Sequence, residues 1–431
     1  MSAPHFHRTL SPLLLWGLGV GYVISGMYFG WNIGLDKGGT LGMAIATGLV
    51  VILYISFTLC YAELACAIPR AGGAFDYAEK ALGQDWGFIA GMAQWIEFVF
   101  APPAIAMGIG AYFHLFFPDI AVTTFAVLAY LLFTLLNMAG VRYSASFELI
   151  ITCIAVAELL LFSGLTLPHI QFDFLQQNAL PNGWTGVFAA LPFAIWFFLG
   201  IEGLANVAEE TKNPQRDITR AFIGSLLTLV FLCVLIFISS CGVSGWEKIV
   251  YLPDGQITDA PLPLALQQVT GGDSLWYRML VSVGIFGFIA SFNGLLLAAG
   301  RATFEFGRSR HLPSILAYLH PRSGTPWIAL LVNMGVGILA IYSGKTAEII
   351  TVSVFGALVL YGISAMAHFR LRNYDPDLYR PFLAPLFPFL PLLAGCLSLL
   401  CLSTMIYFNT SLFGVFLSLL MVGYLVYRFN K

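Results

Sequence analysis

Long apolar stretches alternate with short polar ones along the whole chain. Each apolar stretch has about 20 residues, which is enough for one α-helix to cross a hydrocarbon core about 30 Å thick. Glycine, proline and charged residues separate these stretches and predict twelve membrane spans. The predicted spans are 12–35, 41–67, 86–116, 121–139, 147–167, 187–208, 219–242, 276–306, 327–342, 349–369, 386–406 and 412–427.

Composition supports a membrane protein, because 59% of the residues are apolar and only 10% are charged. A soluble domain carries about 25% charged residues. The first stretch is too long for a cleaved signal peptide, so we expect it to remain as the first span. The seven cysteines show no C-x-x-C spacing, and no basic patch with interleaved aromatics suggests a nucleic-acid partner.

The distribution of Lys and Arg predicts the orientation. If both termini are cytoplasmic, the outer segments hold only Lys37, Lys248, Arg278 and Lys345. The other sixteen of the twenty basic residues, including Arg142 and Lys431, then lie on the cytoplasmic side. By the positive-inside rule we expect a multi-pass protein of the plasma membrane, here the bacterial inner membrane, with the lipid bilayer as its surroundings.

Glycines cluster near the middle of the first and sixth spans, around Gly26 and at Gly200 and Gly203. Small residues can serve close helix packing in lipid. The alternative is that both helices unwind and expose backbone groups to a ligand at the membrane centre, as in transporters built from inverted repeats. These two spans correspond to one another if the repeat contains five helices. The run at 17–21 does not have the G-x-G-x-x-G spacing of a dinucleotide site.

Several motifs resemble the amino acid–polyamine–organocation (APC) superfamily. Residues 61–65 and 69–75 resemble its second-helix signature, residues 200–216 its sixth-helix signature, and residues 301–326 the stretch after its eighth helix. Residues 23–32 are most similar to the ethanolamine-permease branch. The resemblance implies an all-α membrane fold of the LeuT type that fills the whole chain as one transmembrane domain.

In that fold, two inverted repeats of five helices, about 12–167 and 187–369, surround a central site. Spans 1 and 6 are unwound at mid-membrane, and the last two helices, about 382–428, are peripheral. The resemblance also implies alternating access around a site lined by spans 1, 3, 6 and 8, with span 10 as a further candidate. Family members carry amino acids, polyamines or related organic cations, as proton symporters or exchangers.

Acidic side chains at mid-span are costly and indicate function. Glu97, Glu158 and Glu202 lie at such positions. Glu97 begins a face of small residues and could pair with an ammonium group, or it could be a neutral carboxyl bonded to a neighbouring helix. Four more acidic residues lie near the cytoplasmic span ends, where we expect structural or gating roles: Glu63, Glu209, Glu210 and Glu305.

Two departures from the family pattern bear on the substrate. Amino acid carriers of this superfamily typically present Gly-Ser/Ala-Gly at the break in the first helix, where bare N–H groups hold the substrate carboxylate. Here the triplet is Ser25-Gly26-Met27, and the Met side chain would fill part of that space. Some proton-coupled relatives carry a helix-five Lys, whose matching position here is Ala155. The resemblance also implies an aromatic gate at Trp196, whose indole face attracts ammonium ions. An ordinary lipid-facing or interfacial Trp is the alternative.

These arguments predict a secondary active transporter that takes up a small organic amine, best matched by ethanolamine, through proton coupling or exchange. The alternatives are an amino acid or polyamine permease and a non-transporting amine sensor. No cofactor, metal or enzymatic residue set is predicted, and the protein could be a monomer or a homodimer. Glu158 and Glu202 are the candidates for proton coupling. The candidate substrate-binding residues are Ser25, Gly26, Met27, Glu97, Phe98, Ala101, Trp196, Phe197, Gly200, Glu202, Ser291 and Asn293.

Overall fold

The computed structural model describes residues 8–139, 144–343 and 345–430. Within these ranges the regular structure is helical, apart from two isolated β-bridges. Two basic residues of the orientation argument, Arg142 and Lys431, lie outside the described residues.

Twelve apolar helical segments account for the twelve predicted spans. In the described part of the chain, ten are long enough to cross a membrane, and two shorter ones, Pro12–Tyr28 and Trp327–Ile341, complete the set. We number the spans in chain order. Spans 1 and 2 share the helix Trp31–Ala67, which is kinked at Gly39. The others are Gln84–His114, Val122–Ala139, Ser144–Thr166, Gly183–Trp196 with Ile201–Glu210, Pro214–Cys241, Leu275–Arg308, Trp327–Ile341, Thr346–Tyr374, Phe389–Phe408 and Thr410–Asn430.

Span 1 is interrupted twice. Its first helix, Pro12–Gly21, starts with a proline at N1, where the missing N–H costs nothing. A single helical turn, Ser25–Tyr28, follows, and the backbone is then extended at Phe29 and left-handed at Gly30, with φ of 85°. The predicted unwinding of this span is confirmed, but Ser25–Tyr28 is a short helical turn between two interruptions.

Span 6 is broken once. Its α-helix ends at Trp196, and Gly200 adopts a φ of 100°, which a residue with a Cβ rarely tolerates. The chain continues as the 3₁₀-helix Ile201–Glu210. The break predicted from Gly200 is therefore confirmed, and its cause is a left-handed backbone rather than helix packing alone.

Burial differs strongly among the spans. In the most apolar part of each span, 83% of the residues are buried in spans 3 and 10 and 89% in span 6. The corresponding values are 33% in spans 4 and 11 and 17% in span 12. The last two spans are peripheral, as expected, and the site lies among the most buried spans.

Both described ends of the chain lie on the same side of the bundle. The Thr9 N–H donates to the Glu210 carbonyl at 2.9 Å, and the Tyr427 hydroxyl donates to an Asp85 oxygen at 3.1 Å. We call this the terminal side and the other the far side. On the far side, the loop between spans 7 and 8 forms a short helix, Pro261–Thr270, that packs against the bundle.

Candidate functional site

A small central cavity lies beside the break in span 1. Its empty volume is about 180 Å³, and the part of it that a water-sized sphere can enter is far smaller. The cavity is therefore nearly closed in this arrangement. Its lining is mostly apolar and consists of Tyr22, Val23, Ser25, Ala101, Ile105, Trp196, Leu199 and Leu295.

The amides at the break in span 1 already have acceptors. The Ser25 N–H donates to the Ser291 hydroxyl at 2.9 Å, and that hydroxyl donates to the Gly21 carbonyl at 2.7 Å. The N–H groups of Gly26 and Met27 donate to carbonyls three residues earlier, at 2.9 and 3.0 Å. Ser291 thus closes the hydrogen bonds of the interruption, and the triplet presents no spare N–H group to a carboxylate here.

Aromatic rings cover the far side of the cavity. Trp196 meets Phe29 edge to face with ring centroids 5.6 Å apart, and Phe197 stacks on Trp31 at the same distance. Span 1 can approach this closely because a Cβ on Gly26 would lie only 2.5 Å from the Trp196 carbonyl oxygen. The Trp196 indole N–H has no hydrogen-bond partner among the described residues. Trp196 therefore lines the cavity and does not face lipid.

Two buried carboxyl groups meet at the break in span 6. Glu97 and Glu202 are both 0% exposed, and their carboxyl groups lie within hydrogen-bonding range of each other. The backbone N–H of Gly200 faces both of them, and the Tyr361 hydroxyl donates to Glu202 at 3.1 Å. Neither oxygen of Glu97 has a partner of standard hydrogen-bond geometry in the described structure. The pair therefore has acceptor capacity left for a cation or a proton.

This carboxyl pair separates two cavities. On span 3, Gln94, Glu97 and Ala101 share one face by their spacing. Ala101 lines the central cavity, whereas Gln94 and Asn206 line a second cavity of about 320 Å³ toward the terminal side. The Gln94 amide donates to Asn206 at 3.1 Å. Spans 3 and 6 are thus joined by a second polar contact, one helical turn closer to the terminal side than the carboxyl pair. A solute passing between the cavities would pass Glu97 and Glu202.

The four acidic residues near the terminal side all have partners. Arg372 holds Glu63 through two bonds of 2.7 Å. Glu210 and Glu305 pair with Arg301 and Arg308, each at 2.8 Å, and Glu209 accepts from the Ala71 N–H at 3.0 Å. These contacts agree with the structural or gating roles expected for them.

The remaining candidates lie around the cavity rather than in it. Met27 and Phe98 are fully buried outside its lining, and Phe98 faces span 6 near Gly203. Glu158 accepts a hydrogen bond of 2.6 Å from Tyr28 and borders a separate cavity toward the far side. Asn293 faces spans 4 and 5.

Sequence reasoning missed three aromatic residues and one acid. Tyr22 lines the cavity, and Tyr54 extends the Tyr361 contact through a hydroxyl–hydroxyl distance of 2.9 Å. A lone tyrosine inside an apolar span gives no distinctive signal. Glu148, in contrast, could have been found, because span 5 begins at Ser144 and leaves this carboxyl more than one turn inside, where it is 1% exposed.

Comparison with known proteins agrees with this architecture. The profile of the family described as "Amino acid permease" matches residues 10–428. The chain is 30% identical to an uncharacterised transporter of Rhizobium meliloti, over 97% of this chain and 90% of that protein. It is 25% identical both to the branched-chain amino acid permease BcaP and to the serine/threonine exchanger SteT of Bacillus subtilis, covering 97% and 95% of this chain and 92% and 93% of those proteins.

A solved manganese transporter of Eremococcus coleocola has the same fold, with a TM-score of 0.59 at 13% identity over 100% of this chain and 99% of that one. The chain therefore belongs to the amino acid permease family and is a multi-pass membrane transporter, not an enzyme. Its LeuT-type fold is confirmed, and the repeat boundaries remain a prediction.

Proposed function

We propose that this permease takes up a small organic amine, with ethanolamine as the best candidate, by alternating access around Glu97. The observation that carries the proposal is the buried Glu97 carboxyl, whose two oxygens lack standard partners. An unpaired carboxylate is expensive to bury, and a substrate ammonium group would supply the missing charge and donors. The Trp196 indole, which lines the central cavity, adds about 0.5–2 kcal/mol of attraction for such a cation.

The hydrogen bonds within span 1 favour a substrate that has no carboxylate. The N–H groups of Ser25, Gly26 and Met27 are bonded within the protein. An amino acid would have to break one or more of these bonds, at about 0.5–1.5 kcal/mol each, before its carboxylate could bind. An amine without a carboxylate avoids this cost.

The carboxyl pair also favours a substrate with a single positive charge. Two carboxylates side by side repel each other, so Glu97 and Glu202 are expected to share one proton and to carry one negative charge. One ammonium group neutralises that charge, whereas a polyamine would bring more than one charge into a buried site. Release of the shared proton through Glu202 is one route to proton coupling. Glu158, which holds Tyr28 at 2.6 Å, is the other candidate.

Counterflow in proteoliposomes tests the proposal. Vesicles loaded with unlabelled ethanolamine should accumulate labelled ethanolamine transiently, and a pH gradient should raise accumulation if the transport is proton-coupled. Loading with putrescine, valine or serine should give less than a tenth of that signal. Binding of ethanolamine without counterflow would indicate a sensor. Counterflow of other solutes but not of ethanolamine would refute the amine proposal.

An amino acid substrate is the second candidate, because the named relatives are a branched-chain amino acid permease and a serine/threonine exchanger. It predicts the opposite ranking in the same assay, with serine or valine above ethanolamine.

The cytoplasmic position of both termini is tested separately by protease access to a C-terminal tag in inverted and right-side-out vesicles.

A further inference from the structure

A second unsatisfied carboxyl lies behind the break in span 1, away from the central cavity. Glu148 in span 5 is 1% exposed, and the one hydrogen bond that it accepts from a described residue is a long one of 3.5 Å from the Asn293 amide. Its other oxygen has no partner in the described structure. Asn293 in turn accepts from Asn137 of span 4 at 3.0 Å, and an oxygen of Asn137 is also unpartnered. The three side chains form a buried polar cluster with more acceptors than donors.

Among the described residues, the surroundings of Glu148 offer no charge to balance an ionised carboxylate. Span 1 contributes Gly21 and the neutral ring of Tyr22, span 8 contributes Asn293, and Thr152 of span 5 bonds to a span 1 carbonyl. The charged groups that act on the neighbouring Tyr22, Arg301 and Glu210, are paired with each other at 2.8 Å. An ionised carboxylate buried this way is strongly disfavoured, whereas a protonated carboxyl is not.

The contact with span 1 is close enough to depend on the position of that helix. A Cβ on Gly21 would lie 2.7 Å from the free oxygen of Glu148 and 2.7 Å from the Thr152 hydroxyl. Gly21 is the last residue of the helix Pro12–Gly21, directly before the first interruption. If this half-helix moved away, water would reach Glu148 and the carboxyl could ionise.

We propose that Glu148 is a proton-binding site whose occupancy is linked to the position of the helix Pro12–Gly21. The proton is bound while Gly21 packs against the carboxyl, and it is released to water on the terminal side when the half-helix swings out. The proposal deepens the proposed transport cycle and rests on it only for the movement of this half-helix. Each departure of the half-helix releases one proton, and each return binds one.

The test measures the movement without any substrate. A cysteine at Leu18, which is 5% exposed on the same half-helix, is reacted with a maleimide between pH 5.5 and 8.5. Each rate is divided by the rate of the denatured chain at the same pH, and the parent chain without the added cysteine gives the background. With Glu148 intact, the normalised rate should rise at least fivefold across this range. In Glu148→Gln it should stay within twofold and low, because the amide mimics the protonated carboxyl.

Two further variants keep the result interpretable. Glu148→Asp retains a carboxyl and should retain the rise, whereas Glu348→Gln, which removes an exposed far-side carboxyl, should behave like the parent. A rise that persists unchanged in Glu148→Gln, or a flat profile in the parent, would overturn the proposal. Failure of ethanolamine counterflow would refute the proposed substrate and leave this labelling result intact.

Discussion

Replacement of Glu97 by Gln is the most direct test of the site. The substitution keeps the size of the side chain and its ability to hydrogen-bond to Glu202, but it removes the carboxylate oxygens that we expect to contact the ammonium group. A hydrogen bond to a charged group contributes about 1.5–3 kcal/mol. The loss of one such bond should therefore weaken ethanolamine binding roughly 10- to 150-fold, because about 1.4 kcal/mol corresponds to a factor of ten in Kd.

The expected loss of affinity assumes that the ammonium group does not compete with other partners of Glu97. Apart from the proton shared with Glu202, neither Glu97 oxygen has a donor of standard geometry among the described residues, so the ammonium group displaces no other protein group when it binds. The Gly200 N–H near the pair is fixed by the break in span 6 and remains in the variant. The measured loss should therefore report the ammonium contact and not a rearrangement of the site.

The assay is equilibrium binding of labelled ethanolamine to the purified protein, together with the thermal stability of the unliganded chain. Glu97→Gln should lose affinity with little change in Tm, since it replaces a buried acid by a neutral side chain of the same shape. Glu348→Gln, an exposed carboxyl on the same protein, is the matched control and should bind normally. Wild-type affinity in Glu97→Gln, within threefold, would refute the assignment of Glu97 to the substrate.

Three further predictions concern stability. Gly356→Ala places a Cβ 2.4 Å from the Ala93 carbonyl oxygen and should cost about 1–3 kcal/mol, seen as a lower Tm. Gly362→Ala on the same span meets only an ordinary contact at 3.6 Å and should not lower the Tm. Arg372→Ala leaves the buried Glu63 carboxylate on span 2 with weaker contacts and should cost roughly 3 kcal/mol of stability. Arg370→Ala at an exposed position should leave the Tm unchanged, and equal Tm values for the two variants would contradict the prediction. Burial raises the pKa of Asp259, in the far-side loop, to about 6 from 3.8, so its contribution to stability is present at low pH and lost as the pH rises through about 6. The Tm of Asp259→Asn relative to the parent should therefore increase between pH 4 and 7, and a constant difference would contradict the assignment.

The helices and the two breaks could be predicted because their causes are local. The sequence shows the length of each apolar stretch and the charged residues and glycines that separate these stretches. It also shows that spans 1 and 6 correspond if the repeat contains five helices. The left-handed backbone at Gly200 is such a case, since only glycine adopts it freely. The exact form of the break in span 1 could not be predicted, because it depends on a hydroxyl from a distant span, Ser291, that closes its hydrogen bonds.

The side-chain partners were harder to predict for the same reason. Glu97 was singled out by its depth in span 3, but its neighbour Glu202 is brought to it by the fold. Tyr361 and Tyr54 complete that contact from spans 10 and 2, and their sequence contexts are ordinary apolar helices. Asn293 has the right depth for the cavity, yet the rotation of span 8 directs it toward spans 4 and 5.

The two broken spans each face one carboxyl from an unbroken neighbour. Glu97 of span 3 lies at the break in span 6, and Glu148 of span 5 lies at the first interruption of span 1. The deeply buried Glu63 and Glu158, by contrast, have short bonds to Arg372 and Tyr28. Buried polar groups are normally satisfied within a fold, because each unsatisfied one costs stability. In the part of the chain that the structure describes, the unsatisfied buried carboxyls thus lie where the helices are interrupted, which is where a bound cation or proton can be exchanged as the halves move.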